Sequence, residues 1–486
     1  MDRTLLIPFV VLLSFGLGYL ILILVIQGSR FPSDTFTYLK TLLGVPSDAP
    51  VVTYYTQIAS ADIAESARRT VDLIQADGTN WAVEELVAMK FAYIKHLAEL
   101  VANEKVTDVV VAVPPYYSQF ERDAIADAIE ISGLRTLAII NDGTAVAVNY
   151  AMTRTFPTPE YHVIYDAGSS GIRATVASFT TAKDPKTGAA GTHIAVAGVG
   201  YDRTTGGVEL DRRMREILID AFNAKTGKDV REDKRGMAKL WKEALRVKAI
   251  LSANNEAMAI VESLAWDIDF KTKVTRAQFE EKCKDLKSEF AKPIDDALKN
   301  AELTLDNVTS VIFTGGSTRI PMVQTAVKAA VGEYVLFKFS LLLFLTIFLS
   351  DKIALNVNAD EAAVLGAALY GASLSRQFKT KPIKVSDISV HDIQISYFAA
   401  ASTANSRPRS ITTLIFPAGS KVGAKKVLTF KRKEDFAVFL DYKIPVSPYV
   451  LNFHFRMTRN NGVISEAFQL VCWKSKLAAS QRLSQI

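Results

Sequence analysis

Val311-Ile-Phe-Thr-Gly-Gly-Ser-Thr-Arg-Ile-Pro321 runs as an apolar stretch that stops at two glycines, passes a polar Ser-Thr-Arg and reaches a proline. The order predicts a strand that hands its chain to a helix N-terminus. Glycines at such a junction let the backbone approach a ligand with no Cβ in the way, and the next amides point towards it. Proline fits a first helical turn, and Arg319 offers a flat cation that can stack on a base. By itself the pattern also describes an ordinary tight turn between strand and helix.

Two further stretches point the same way. Tyr161-His-Val-Ile-Tyr-Asp-Ala-Gly-Ser-Ser-Gly-Ile-Arg-Ala-Thr-Val-Ala-Ser-Phe179 alternates into Asp166, crosses a small-residue turn and alternates again. It predicts a hairpin. A carboxylate beside a glycine- and serine-rich turn suits phosphate with Mg²⁺. The amides and hydroxyls of Gly168, Ser169 and Ser170 can cradle oxygens while Asp166 holds the metal through water. A β-turn with an Asx cap accounts for the same residues. Leu137-Ala-Ile-Ile-Asn-Asp-Gly-Thr-Ala-Val-Ala-Val-Asn-Tyr150 predicts a short buried strand opening an alanine-rich helix, with Asp142 as its N-cap.

Three strand-to-turn junctions in the order Asp142, Asp166, Gly315 resemble the actin-like ATPase fold, an α/β architecture of the ribonuclease H-like kind. The words around them are similar to the heat-shock protein 70 superfamily. Val109-Val-Val-Ala-Val-Pro-Pro-Tyr-Tyr-Ser-Gln-Phe-Glu-Arg-Asp-Ala124 resembles that family's strand, Val-Pro, aromatic pair and helix start. Further matches are Gly198-Val-Gly-Tyr-Asp-Arg-Thr-Thr-Gly-Gly207, Lys248-Ala-Ile-Leu-Ser-Ala-Asn254, Val274-Thr-Arg-Ala-Gln-Phe-Glu-Glu281 and Asn358-Ala-Asp-Glu-Ala-Ala-Val-Leu-Gly-Ala367. Ile140-Asn-Asp together with the Gly206-Gly207 and Ser252 words is most similar to the large, glucose-regulated branch of the endoplasmic reticulum. The resemblance covers about residues 30 to 385 and fades through the C-terminal hundred.

The resemblance implies ATP or ADP with Mg²⁺ as cofactors. It puts the adenosine pocket on Gly206, Gly207, Lys248, Ser252, Gly315, Gly316, Ser317, Arg319 and Asp360, the phosphate turn on Asp166 to Ser170, and the catalytic carboxylates on Asp142 and Asp166. Lys248 and Ser252, four apart on a helix, share one face. In family members two lobes close around the nucleotide, and a β domain for unfolded polypeptide clients reads the closure. This branch also assists nucleotide exchange on a smaller luminal chaperone of the same family.

Several positions depart from the pattern. Leu245 and Ala249 stand where the family has a glutamate and an arginine, Asp142 where it has a glutamate, and Arg173 where the phosphate turn has a second aspartate. Such changes weaken hydrolysis more than binding, because binding can rest on backbone amides whereas hydrolysis needs placed carboxylates and metal. The family's first Asp-x-Gly-Thr hairpin and its following lysine are not found in this sequence; the match starts near Arg30. An incomplete first lobe is the expectation, with weak ATP binding and poor turnover. Two other classes stand beside this reading: a non-enzymatic binding module, and a small-molecule kinase on the same fold. The Gly206-Gly207 and Lys248-to-Asn254 words disfavour the kinase.

The expected organisation is an apolar segment at 1–27, a nucleotide-binding domain at 28–376 with a helical second lobe at about 228–301, a linker at 377–400 and a partial β-sandwich at 401–486, with short β-runs at Val385 to Tyr397 and Lys425 to Tyr442. No charge falls between Thr4 and Ile26. At about 20 residues a span is reached, so 5–26 is either an uncleaved membrane anchor or untranslated sequence behind a misplaced start. Tyr334 to Ser350 is a second apolar run. Crossing a membrane there would part Gly315 from Asp360, so it reads as a surface hairpin or unspliced intron sequence. Helical periodicity marks Glu121 to Ser132, Thr205 to Ala224 and Arg231 to Leu251, and Thr275-Arg-Ala-Gln278 offers a capping box.

Composition sets bounds. A chain of 486 residues suits two or three domains. The net charge of +6 is mild and its basic residues scattered, so no nucleic acid is expected as a partner. Cys283 and Cys472 give neither a disulfide framework nor metal spacing, and the five histidines show no ligand pairing. Asn307-Val-Thr309 is a glycosylation sequon for a chain that enters the endoplasmic reticulum.

Overall fold

The computed structural model describes residues 28, 30–183, 190–331, 353–354, 358–375, 378, 380–399, 409–432, 436–443, 453–457 and 464–471. At its centre the alternating stretch around Asp166 forms the expected hairpin. Glu160–Ala167 pairs antiparallel with Ile172–Lys183, which sets Asp166 opposite Arg173. Ala190–Asp202 continues the antiparallel order, while Val308–Thr314 lies parallel on the other side, with Ile353–Ala354 beyond it.

Period-two alternation decides the faces of this six-stranded sheet. Val163, Tyr165, Val311 and Phe313 bury one face against the helices Gly207–Thr226, Lys234–Ala253 and Pro321–Val331. Ile164, Ile312 and Phe179 bury the other against Asp142–Met152 and Ala362–Leu374. Each large apolar side chain buried in this way contributes about 1.5–3 kcal/mol. Helices on both faces of a mixed sheet make the α/β, actin-like architecture that the junctions implied.

A smaller part precedes it. The parallel pair Asp108–Val113 and Arg135–Asn141 is joined through the helix Gln119–Ile131. That helix starts where the Ser118 hydroxyl accepts from the Glu121 amide and Glu121 Oε2 accepts from the Ser118 amide, at 3.4 and 2.7 Å. Leu39, Leu42, Tyr55 and Leu73 form a separate core there.

Three expectations need correction. The stretch 228–301 is not wholly helical, because Glu256–Ala265 and Ile268–Thr275 pair as an antiparallel hairpin within it. Its inward residues begin with Ala257 and Ala259, too small to give a strong alternating signal. Residues 377–400 do not form a free linker. Ile383–Ser386 adds a parallel edge strand beside Ala190–Asp202, and Ile393–Phe398 lies between Ser410–Phe416 and Phe436–Tyr442 in the β domain. The β-run read at Val385 to Tyr397 thus divides into two strands, and an open sheet edge supplied the first with its partner. Finally, Asn141 rather than Asp142 is the N-cap of the Asp142–Met152 helix. The capping box at Thr275 forms as expected.

The β domain sets that sheet against the pair Lys425–Arg432 and Ile464–Val471, with Phe430 edge-on to Tyr397 across the sandwich. Among the described residues no helix is long and apolar enough to cross a membrane. The runs at 5–26 and 334–350 lie outside the described residues.

The β domain docks on the first part through His391. Its Nε2 lies 3.1 Å from the Tyr116 carbonyl, its ring 4.9 Å from that of Tyr442, and the Tyr442 hydroxyl accepts the Gln119 amide at 2.9 Å. Burial pushes the imidazole down to about 4; Arg122 and Arg203 add to this, while the Tyr116 carbonyl and Asp392 oppose it. A solvated imidazole titrates near 6.5, so the folded state holds the neutral form and its stability is complete above that value. Stability is lost as pH falls through the window from about 6.5 to about 4. From pH 7 to 5 the loss expected from this group is about 2 kcal/mol. Urea denaturation at both pH values should show that excess loss in the native chain and not in His391→Gln; equal pH dependence in the two would refute it.

Candidate functional site

Three loops converge at the ends of the central strands. The turn Gly168 to Gly171 closes the hairpin, and its carbonyls receive the start of the next helix: the Gly207 amide donates to Gly168 O at 3.0 Å and the Val208 amide to Ser169 O at 2.8 Å. The Ser317 hydroxyl donates to Gly168 O at 3.2 Å. Gly315 has φ +83°, a left-handed conformation costly for any residue with a Cβ, and a Cβ there would lie 2.4 Å from the Ala167 carbonyl. Its amide donates to Ala359 O at 3.0 Å, which brings the Asn358-to-Glu361 segment alongside.

The structure thus brings Gly168, Ser169, Ser170, Gly206, Gly207, Gly315 and Ser317 together. Gly316 and Ser169 face solvent. Lys248 reaches the same place from the helix Lys234–Ala253, donating to Gly207 O at 3.1 Å and pairing with Asp211 at 2.6 Å. Burial raises the Asp211 carboxyl to about 6 while Lys248 opposes the rise. Arg319 and Asp360, both more than half exposed, form an ion pair at 2.5 Å on the rim. Ser252 commits its hydroxyl to the Lys248 carbonyl one turn back, at 3.1 Å.

Asp142 and Asp166 do meet, as expected, but through a third group. The Arg173 guanidinium, 6% exposed, lies between them: its Nε is 3.0 Å from Asp142 Oδ2, and a terminal nitrogen contacts Asp166 Oδ2. Burial alone would lower the guanidinium's proton affinity; Asp142 and Asp166 outweigh it and hold the cation firmly charged. Burial raises the Asp142 carboxyl, with Arg173 opposing. Lys40, exposed to solvent, lies within electrostatic reach of the cluster.

These residues do not fit the Mg²⁺ that was expected on Asp166. A carboxylate that carries a guanidinium offers a dication less charge and fewer free lone pairs, and the cation repels it. Among the described residues no group of three or more His, Cys, Asp or Glu is placed to hold a metal. Lys40 and Asp211 gave no sequence signal, since each acts through partners distant along the chain.

Across the cleft the smaller part touches the helices Gly207–Thr226 and Lys234–Ala253. Trp241 Nε1 donates to the Tyr38 hydroxyl at 2.9 Å, the Tyr54 hydroxyl to Glu209 at 3.1 Å, and Lys234 pairs with Asp62 at 2.9 Å. Beside these contacts a cavity of about 560 Å³ is lined by residues that include Pro50, Tyr54, Phe120 and Arg203.

The family model described as Hsp70 protein matches residues 27–434. Hypoxia up-regulated protein 1 of Xenopus laevis is 38% identical over 423 residues, 85% of this chain and 62% of that protein. Heat shock protein 70 homolog lhs1 of Schizosaccharomyces pombe is 38% identical over 349 residues, 70% of this chain and 39% of that protein. For hypoxia up-regulated protein 1 of Danio rerio the figures are 36% over 422 residues, 85% and 41%. The chain spans 39 to 62% of the length of these three curated relatives.

Proposed function

Because the chain belongs to the Hsp70 family, we propose that its cleft binds ATP and ADP, and that the nucleotide state is passed to the β domain of a chaperone of the endoplasmic reticulum lumen. The observation that supports this reading best is the joining of the Gly168, Gly206-Gly207 and Gly315 turns by direct hydrogen bonds. The solvent-facing Ser169 and Gly316 of these turns suit phosphate oxygens, and the cations Lys248 and Arg319 stand beside them where a ribose and base would lie.

Partners follow from the same reading: unfolded polypeptide clients on the β domain, and a smaller luminal chaperone of the family whose nucleotide exchange this chain assists. Phe398, Leu414 and Val427 expose apolar surface on the β domain, at 49, 38 and 59%. Asn307 of the sequon is exposed at the surface, as modification in the lumen requires.

Hydrolysis should be slow, since Asp142 and Asp166 are both engaged by Arg173. That pairing also favours a second reading, a non-catalytic module that acts through its lobe surfaces. Calorimetric titration of the full chain with ADP separates them. Binding that Arg319→Ala weakens about tenfold, or about 1.4 kcal/mol, supports the pocket; no detectable binding of ADP or ATP supports the module.

A further inference from the structure

We propose that this cleft takes its nucleotide without a divalent metal, because the Arg173 guanidinium already sits on both carboxylates that would recruit one. The inference rests on the nucleotide reading above and specifies the state in which the ligand is bound.

The charge count is simple. Two carboxylates, Asp166 beside the phosphate turn and Asp142 behind Arg173, would repel a polyphosphate if left bare. A bound dication is one way to offset them. Here Arg173 enters from the second strand of the hairpin, directly across from Asp166, and reaches Asp142 as well. The guanidinium thus offsets both carboxylates at once. Phosphate then meets the turn with both carboxylates already paired.

The guanidinium is also hard to displace. Its side chain is 6% exposed, and a Cβ at Gly168 would stand 3.1 Å from its terminal nitrogen, so the phosphate turn lies directly over it. A buried cation cannot leave two carboxylates without stranding all three charges. Mg²⁺ surrenders its waters reluctantly and demands an octahedral oxygen shell. A guanidinium resting on both carboxylates repels it, and arginine, unlike lysine, does not give up its proton to make way.

The test is calorimetric titration of the full chain with ADP, once in excess Mg²⁺ and once in excess EDTA. The affinity in EDTA should equal or exceed that in Mg²⁺. A loss of tenfold or more in EDTA overturns the inference while leaving the nucleotide reading intact. Absence of binding in both overturns the nucleotide reading and this inference with it. Arg173→Asp, checked for folding by circular dichroism, should acquire a Mg²⁺ requirement of tenfold or more. The comparison on the unaltered chain decides the matter whether or not that variant folds.

Discussion

Alanine at Asp387 is expected to cost the chain about 3 kcal/mol and to loosen the β domain from the sheet. The carboxylate lies immediately after the edge strand Ile383–Ser386. Its Oδ2 accepts from Thr144 Oγ1 at 2.6 Å and Asn141 Nδ2 at 3.0 Å, while Oδ1 accepts the Ile388 amide at 2.8 Å. Asn141 in turn accepts from Arg122 at 2.7 Å. Thr144 is 1% exposed and Asn141 8%, so water cannot replace the lost acceptor. Hydrogen bonds to a charged acceptor are worth about 1.5–3 kcal/mol, and each orphaned buried donor costs about 1–3 kcal/mol. Denaturant unfolding measures the loss, and limited proteolysis after Ser386 reports the loosened junction. Asp387→Asn keeps the shape and should recover part of the loss. A change below about 1 kcal/mol in Asp387→Ala would mean that the carboxylate is merely solvated.

Valine at Gly366 should be at least as damaging. Gly366 lies where the helix Ala362–Leu374 crosses Asp142–Met152, and a Cβ there would come 1.7 Å from the Ala145 carbonyl oxygen and 2.5 Å from its carbon. Both are backbone atoms, so no side chain can swing aside and the helices must part. Overpacking commonly costs about 1–3 kcal/mol, and this site belongs at the upper end or beyond. Asn141 and Asp142 start the helix that would be pushed, so nucleotide binding should fall with stability. Gly371→Ala is the control: its Cβ would meet only Val110 Cγ2 at 3.0 Å, the end of a side chain. Equal melting temperatures for Gly366→Val and the native chain would show that the crossing opens freely.

Much of the site was legible from residue order. The hairpin around Asp166 and the Gly315 turn are local events, in which alternation, glycine and proline act over a few residues. Even the Asp166–Arg173 contact follows from the hairpin, because a short turn fixes which residues face each other across the strands. The β-run at Val385 to Tyr397 was legible as strand, but its division between two sheets was not, since the partner of Ile383–Ser386 lies far back at Thr192 to Ala195. The hairpin at Glu256 was hidden by alanines on its inward face.

The sequence alone therefore determined the family, the α/β class, and the three strand-to-turn junctions, because each depends on backbone conformations that nearby residues permit or forbid. Tertiary structure decided what those junctions hold. Only packing brings Asp142 to the guanidinium that already pairs with Asp166, sets Asp211 on Lys248, and ties Asp387 to Thr144 across 243 residues of chain. Electrostatic partnership depends on distance in space, which local patterns of residue type do not encode.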